Sequence, residues 1–179
     1  MHKDVASILL TEEEIIGRIK QLGKQITQDY KGKDILMVGI LRGAVMFYSD
    51  LVKNVDLFVE FDFMAVSSYG ASTRSSGVVR LVKDLELEIE DKHVIIIEDI
   101  VDTGLTLKYL LENLGSRRPL SVKTCCLLDK PSRRKTDIKV DYVGFVVPDA
   151  FLIGYGLDYN QKYRNLPYIG ILKQELYTT

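Results

Sequence analysis

The sequence has few cysteines and no long apolar run. Its only two cysteines, Cys125 and Cys126, are neighbours, so they cannot join distant segments, and no zinc-type spacing is present. No apolar stretch approaches the ~18–20 residues needed to span a bilayer, and Met1 to Leu10 lacks the apolar core of a signal peptide. These absences predict a protein of the reducing cytoplasm in which both cysteines are small buried side chains.

The chain also lacks an excess of charge of either sign. With 24 basic and 25 acidic residues the formal net charge is -1, so binding to nucleic acid through bulk charge has no support. Hydrophobic residues make up 46% and charged residues 27%, which is typical of soluble globular proteins. We expect 179 residues to form a single domain, 1–179, around one core.

Apolar patterns of helical and strand type alternate along the chain, which predicts an α/β fold. Thr11 and Glu14 have the spacing of a helix capping box, and apolar residues at helical spacing follow through Ile26. Further helices are predicted at 44–51 and 106–114, and strands at 35–41, 57–66, 78–83, 94–97, 122–128, 142–147 and 169–172. Strands separated by helices pair in parallel, and ligands bind beyond their carboxyl ends. The residues after Ile97, Leu128 and Val147 are therefore the first places to look for chemistry.

A polar segment, SSYGASTRSSG at residues 67–77, separates two predicted strands. It is too long for a simple turn, and loops of this length in compact domains are often lids or binding loops. An ordinary connector fits the composition equally well, and the residues alone leave both interpretations open.

The strongest chemical signal is the segment from Val94 to Leu107, VIIIEDIVDTGLTL. An apolar strand runs into Glu98 and Asp99, and a short loop then opens a helix with a leucine-rich face. The N-terminus of a helix presents unpaired N–H groups and a partial positive charge. Because Gly104 permits a close backbone approach, the loop can cradle a phosphate.

The acids beside this cradle suggest a second ligand group. Glu98 and Asp99 can accept hydrogen bonds from sugar hydroxyls or bind Mg²⁺, and Asp102 is placed to take or give a proton. The alternative is a capped helix start, with Asp102 or Thr103 as the N-cap and the other acids solvated. The whole pattern favours the cradle. A P-loop NTPase is excluded because G-x-x-x-x-G-K-[ST] is missing, and the following helix argues against an aspartic protease, whose paired Asp-Thr-Gly motifs lie in an all-β fold.

This segment resembles the phosphoribosyl pyrophosphate loop of type I phosphoribosyltransferases. Three further segments, GILRGA, LLDKPSRR and FLIGYGLDYNQKYRNLP, extend the resemblance to bacterial hypoxanthine-guanine phosphoribosyltransferases, from about Val38 to Leu172. The resemblance implies a central, mostly parallel sheet flanked by helices, with a small hood. It also implies Mg²⁺-dependent transfer of 5-phosphoribosyl from phosphoribosyl pyrophosphate to N9 of a 6-oxopurine, hypoxanthine or guanine.

The resemblance further implies roles on the sugar-phosphate side. Glu98 and Asp99 would hold the ribose 2′- and 3′-hydroxyls and the metal, and Asp102 would be the general base at purine N7. The 5′-phosphate would be bound by the loop residues Thr103, Gly104, Leu105 and Thr106. Some family members have lysine where this chain has Leu105, so a role that needs that lysine would be absent here.

The remaining implied roles concern the base, the pyrophosphate and a lid. Lys130 would read O6, Phe151 would stack on the purine, Leu152 would contact the base edge through its backbone, and Asp158 would join the metal and base-edge network. Pyrophosphate would bind at Arg42, Gly43 and Arg164, in some members beside a cis peptide before the basic residue. Ser68 and Tyr69 would belong to a lid. Without the resemblance, Arg42 and Lys130 could be solvated and Phe151 could be a core residue. Arg133 and Arg134 are interpreted as solvated or as lying behind the site.

Two broader questions stay open at this level. A non-catalytic regulator that senses phosphoribosyl pyrophosphate is the alternative function, although every segment expected of the enzyme is present. Family members are usually dimers or tetramers, which suggests a homodimer or homotetramer here by analogy alone. No membrane or nucleic-acid partner is expected.

Overall fold

The computed structural model describes residues 1–68 and 79–178, which form two sheets and three α-helices. The helices are α1 (Glu12–Asp29), α2 (Val45–Val52) and α3 (Leu105–Gly115). The strands are β1 (Val5–Leu10), β2 (Ile35–Leu41), β3 (Val59–Ser68), β4 (Val79–Lys83), β5 (His93–Val101), β6 (Ser121–Asp129), β7 (Tyr142–Val146), β8 (Leu152–Ile153) and β9 (Ile169–Leu172). None of these helices is long and apolar enough to pass through a bilayer.

The larger sheet has the strand order β4-β3-β2-β5-β6-β7, and β4 is its only antiparallel member. This confirms the predicted α/β fold with a mostly parallel sheet. The smaller sheet has the order β1-β9-β8 and, with the adjoining residues 154–164, forms the hood that the resemblance implied.

Helices cover both faces of the larger sheet, which explains why its central strands are continuous apolar runs. Met37, Ile95 and Ile97 pack in the cluster that includes α1 and α2, and Val38 and Ile96 pack in the cluster that includes α3. The two cysteines lie in these opposite clusters, buried and free, as predicted. Burial raises the pKa of both thiols.

Helix α1 begins at the predicted capping box. Thr11 Oγ1 accepts a hydrogen bond from the Glu14 backbone N–H at 3.3 Å, and Glu14 Oε2 accepts one from the Thr11 backbone N–H at 2.8 Å. The four apolar positions at helical spacing are fully buried: Ile15, Ile19, Leu22 and Ile26. This burial holds α1 against the sheet, since an amphipathic face rather than propensity stabilises most helices.

The structure differs from the sequence prediction at several places. β1 and β8 were not predicted, and β5 continues to Val101, so Glu98 and Asp99 lie inside a strand instead of after it. β3 runs through Ser68, so the expected loop at 67–77 begins later than predicted. The rest of that segment, with Tyr69, lies outside the described residues, and the lid role of Ser68 and Tyr69 stays a prediction.

Candidate active site

The site lies where β2 and β5 separate. Their parallel pairing ends at Gly39 and Ile97, after which β2 continues beside β3 and β5 continues beside β6. The chain order also reverses here, because β3 lies on one side of β2 and β5 on the other. A crevice opens at such a switch point, and ligands of α/β sheets bind there. Of the predicted site residues, Arg42 and Lys130 directly follow β2 and β6, and Glu98 and Asp99 lie within β5 near its carboxyl end.

The loop before α3 contains the residues that were predicted to cradle a phosphate. The N-cap is Gly104, with φ +82° and no side-chain cap, so the alternative that Asp102 or Thr103 caps the helix is wrong. Thr103 Oγ1 is 3.4 Å from the Leu105 N–H, a weak contact. A cavity of about 100 Å³ borders this loop and is lined by residues that include Glu98, Asp102 and Thr106. A negatively charged group in that cavity would meet the start of the helix.

Two carboxyls lie side by side within the crevice end of β5. Glu98 is 8% exposed, and its pKa is raised well above the usual range, first by burial and then by the charge of Asp99. Burial also raises the pKa of Asp99 to about 6, although Asp99 Oδ1 accepts the Ile100 backbone N–H at 2.8 Å. Arg164 lowers the pKa of Asp99 and Asp158 raises it. The pair therefore favours a ligand that brings positive charge or hydroxyl donors.

Two glycines allow the loop after β2 to touch the acids and the hood. A Cβ on Gly43 would lie 1.6 Å from Asp99 Oδ2, and a Cβ on Gly156 would lie 2.0 Å from the Gly43 carbonyl oxygen. Gly156 also has φ +99°, which favours glycine. The Leu41–Arg42 peptide bond is cis, the form that the resemblance allowed. Three separate segments thus meet within contact distance at the predicted pyrophosphate position.

The predicted pyrophosphate arginines lie at this meeting point and share one acceptor. Gln161 Oε1 accepts hydrogen bonds from Arg42 at 3.1 Å and from Arg164 at 3.2 Å. Arg164 also donates to the Gly156 carbonyl at 2.7 Å and pairs with the Asp158 carboxylate at 2.8 Å. The sequence analysis missed Gln161, whose only signal is its place midway between Asp158 and Arg164.

A larger cavity of about 650 Å³ lies beside the cradle and contains the residues predicted for the base. Its lining includes the predicted Asp102, Lys130, Phe151, Leu152 and Asp158, together with Ile100, Arg133, Asp149, Ala150, Leu157, Tyr159 and Tyr177. The volume suits a small ligand, because such sites typically measure ~300–1,000 Å³. Asp102 lines both cavities, so one carboxyl lies between the phosphate cradle and the candidate base site.

Lys130 and Phe151 are placed by contacts within the cavity wall. Lys130 is 5% exposed and donates from Nζ to the Ala150 carbonyl at 2.9 Å, so the interpretation as a surface lysine is wrong. Phe151 stacks on Tyr177, with ring centroids 4.8 Å apart, and meets the edge of Tyr159 at 5.4 Å. Phe151 is partly buried, so it is neither a core residue nor fully solvated. Tyr177 was missed because it lies outside the motifs that carry the resemblance.

The two arginines that follow Lys130, Arg133 and Arg134, both contact the loop that contains Asp102. Arg134 pairs with the Asp129 carboxylate and donates to the Asp102 carbonyl at 3.2 Å, with 15% of its side chain exposed. Arg133 lies with Nε 3.1 Å from Asp102 Oδ1. Of the two predicted alternatives, solvated or lying behind the site, the second describes Arg134, and Arg133 contacts Asp102 while 45% of its side chain stays exposed.

Comparisons with known proteins agree with this geometry. The family model described as "Phosphoribosyl transferase domain" matches residues 5–160. The hypoxanthine-guanine phosphoribosyltransferase of Bacillus subtilis is 53% identical over 177 residues, which cover 99% of this chain and 98% of that protein.

Solved structures with the same fold are also available for comparison. A crystal structure of a hypoxanthine phosphoribosyltransferase from Staphylococcus aureus superposes with a TM-score of 0.96 at 54% identity, covering 100% of this chain and 97% of that one. A variant of the Trypanosoma cruzi hypoxanthine phosphoribosyltransferase, in a ternary complex with substrates, gives a TM-score of 0.92 at 44% identity, covering 99% and 100%. The chain therefore belongs to the type I phosphoribosyltransferase family, in the group of the bacterial hypoxanthine-guanine phosphoribosyltransferases.

Proposed function

We propose that this chain acts in purine salvage, transferring 5-phosphoribosyl from phosphoribosyl pyrophosphate to N9 of hypoxanthine or guanine and releasing IMP or GMP with pyrophosphate. The observation that carries the proposal is the position of Asp102, which lines both the phosphate cradle and the larger cavity. A nucleotide spans these two sites, with its phosphate in one and its base in the other. The relatives reported above are enzymes by name, and nothing favours the regulator alternative.

The sugar phosphate would be held by the cradle and the acidic pair. The 5′-phosphate would accept from the backbone N–H groups of Gly104, Leu105 and Thr106 and from the Thr103 and Thr106 hydroxyls. Because the contact at Leu105 is through the backbone, the missing lysine side chain does not weaken it. Glu98 and Asp99 would accept from the ribose hydroxyls, which offer the donors that these buried oxygens need.

The acidic pair also fits a divalent cation. Among the described residues no group of three potential ligands is placed to hold a metal ion by itself. Mg²⁺ typically takes only one or two protein carboxylates and completes its shell with water and substrate phosphates. One or two of the three acids Glu98, Asp99 and Asp158 would hold it at a time, and it would supply positive charge to the leaving pyrophosphate.

The base would occupy the larger cavity. Lys130 would donate to O6, which favours a 6-oxo group over the amino group of adenine because a cationic lysine cannot accept a hydrogen bond. Phe151 would stack on the purine face, and the Leu152 backbone and Asp158 would face the base edge. These contacts do not rank hypoxanthine against guanine.

The reaction would then proceed by loss of pyrophosphate and attack by the base. The C1′–O bond breaks, positive charge develops on the sugar, and purine N9 attacks from the opposite face. Asp102 takes the proton at N7. Arg42, the Gly43 backbone and Arg164 would hold the departing pyrophosphate, for which the planar guanidinium groups are well shaped.

We extend the proposal to a single-domain cytoplasmic protein that assembles as a homodimer or homotetramer. Phe58 is fully exposed and Phe61 is 56% exposed, which are unusual positions for large aromatic side chains in a monomer. Light scattering on the purified protein would test the assembly. A mass equal to one chain at micromolar concentration would contradict it.

The activity is tested by mixing purified protein, Mg²⁺ and phosphoribosyl pyrophosphate with hypoxanthine, guanine or adenine separately and following the ultraviolet change. Turnover is expected with a 6-oxopurine, and turnover with adenine alone would overturn the Lys130 assignment. Asp102→Asn should lower the single-turnover rate by ~10²–10⁴-fold, the usual contribution of a positioned acid–base group. Asp137→Asn, which changes an exposed acid outside both cavities, is the matched control and should keep the wild-type rate.

A further inference from the structure

Arg133 reaches into the larger cavity and contacts the proposed general base. It ends the short 3₁₀ helix Pro131–Arg133, which directly follows Lys130. Its Nε is 3.1 Å from Asp102 Oδ1, and its second contact is with Asp149, where its Nη1 lies 3.5 Å from Oδ1. All three side chains line the same cavity. A chain of charges, Asp149–Arg133–Asp102, therefore borders the place proposed for the base.

The contact leaves the two oxygens of the Asp102 carboxyl in different environments. Oδ1 is fully buried and has no hydrogen-bond partner among the described residues, since the approach of Arg133 is an ion pair without hydrogen-bond geometry. The Asp102 side chain as a whole is nevertheless 37% exposed. The exposed part must therefore lie away from Oδ1, which leaves Oδ2 as the oxygen able to meet a ligand.

The other cationic side chains near Asp102 bind groups other than its carboxylate. Lys130 donates to the Ala150 carbonyl, and Arg134 binds the Asp129 carboxylate. Of the ion pairs formed by the described residues, only the one with Arg133 involves the Asp102 carboxylate. Asp149 holds Arg133 from its other side and also lies 3.7 Å from Lys130 Nζ.

We propose that Arg133 is a positioning residue for the transfer reaction. It holds Oδ1 of Asp102, so that Oδ2 points to N7 of the bound purine, and Asp149 orients Arg133 in turn. A base oriented by a third group is a recurring arrangement in enzymes. Catalytic contacts are often poorly aligned before substrates bind, which agrees with the imperfect geometry of the Arg133 contact. The inference rests on the proposed role of Asp102.

The Arg133–Asp102 ion pair contributes too little free energy to folding for stabilisation of the fold to be its main role. The Arg133 and Asp102 side chains are 45% and 37% exposed, and ion pairs of this kind contribute only ~0–1 kcal/mol to folding. Misplacing a catalytic group by about 1 Å, in contrast, can lower a rate by ~10²-fold. We therefore expect the loss of Arg133 to affect the rate of the chemical step much more than folding.

The test is a double-mutant cycle on single-turnover rates with saturating hypoxanthine and phosphoribosyl pyrophosphate. Arg133→Ala should lower the rate on the order of tenfold, between the two limits above, and leave the KM for phosphoribosyl pyrophosphate within about twofold. Arg133→Lys should recover most of the rate because it keeps the positive charge. In an Asp102→Asn background, Arg133→Ala should have less than about a twofold effect, because the group it positions has been removed. Arg118→Ala, which breaks an exposed arginine–carboxylate pair with Glu90 away from the site, is the matched control and should keep the wild-type rate.

The outcomes separate this inference from the proposed function. A wild-type rate in Arg133→Ala overturns the inference, and so does an equal Arg133→Ala loss in both backgrounds, since Arg133 would then act independently of Asp102. If Asp102→Asn shows its expected loss of single-turnover rate in the same experiment, either result leaves the proposed function intact. If the single variant Asp102→Asn kept near wild-type turnover, Asp102 would not be the general base, and both that assignment and this inference would be overturned.

Discussion

Replacing Gly43 with alanine should disable the site through one atom. The new Cβ would lie 2.6 Å from Asp99 Cγ and 1.6 Å from Asp99 Oδ2, the second distance being roughly 2 Å shorter than ordinary van der Waals contact. The carboxyl cannot turn aside freely, because its Oδ1 accepts the Ile100 N–H at 2.8 Å. The loop cannot retreat easily, because the backbone of Gly156 packs against the Gly43 carbonyl. Either Asp99 or the loop that contains Gly43 must therefore move.

The size of the effect follows from this displacement. A shift of about 1 Å in a catalytic constellation costs ~10²-fold, so kcat/KM for phosphoribosyl pyrophosphate should fall by at least that factor at saturating hypoxanthine. Overpacking should lower the free energy of unfolding by ~1–3 kcal/mol. Gly17→Ala is the matched control, since a Cβ at Gly17 on α1 would meet no atom within 4 Å apart from the neighbouring backbone of its own helix. It should keep full activity and stabilise the helix by up to ~1 kcal/mol.

One result would refute this reasoning. If folded Gly43→Ala kept kcat/KM for phosphoribosyl pyrophosphate within threefold of wild type, close contact between the loop and Asp99 would not be needed for catalysis. A loss confined to the KM for the base would also contradict it, because Gly43 lines no part of the larger cavity.

Three further substitutions test separate parts of the structure. The first test uses the protein without substrate or Mg²⁺, in which burial raises the pKa of Asp99 from 3.8 to about 6. The folded state then binds this proton more tightly than the unfolded state does. Wild type therefore loses stability as the pH rises from 3.8 to about 6. Asp99→Asn should therefore stabilise the protein more at pH 8 than at pH 5 in urea unfolding, and an equal gain at both would argue against a buried charge. Lys130→Met should raise the KM for hypoxanthine by ~10–100-fold, the usual loss of a hydrogen bond to a charged group, and an unchanged KM would remove Lys130 from base recognition. Thr11→Ala should cost ~1 kcal/mol of unfolding free energy at unchanged kcat, and a change in kcat would show that the cap does more than begin a helix.

The sequence predicted best those elements whose signal is local. The bounds of β2 were predicted correctly because helices cover both faces of the sheet, which makes all seven residues from Ile35 to Leu41 apolar. The start of α1 was predicted correctly because Thr11 and Glu14 bind each other across one turn. β1 was missed because its partner β9 lies at the other end of the chain, and β8, which also pairs with β9, was missed because it has only two residues. Such pairing leaves no periodic pattern to read.

The same distinction applies to the site. Arg42 and Lys130 directly follow β2 and β6, as predicted, because chain order and parallel pairing bring the carboxyl ends of the strands to one edge. The contacts of Arg133 and Gln161 were not predicted, because they depend on side-chain direction between distant segments: Gln161 binds an arginine 119 positions away. A cation beside another cation, as in Arg133-Arg134, looks solvated in a sequence even when both pair with carboxylates in the fold.

The acidic pair, Glu98 and Asp99, explains why β5 was predicted to end too early. Carboxylates are costly inside a sheet, so the sequence suggested that β5 ends at Ile97. β5 instead continues to Val101 beside β6, beyond the point at Ile97 where its pairing with β2 ends. Glu98 and Asp99 thus stay in regular backbone while their side chains reach the crevice, where burial raises both pKa values. In the proposed function, sugar hydroxyls and positive charge brought by the substrate and Mg²⁺ would offset this desolvation cost, so the burial of the two acids would favour substrate binding.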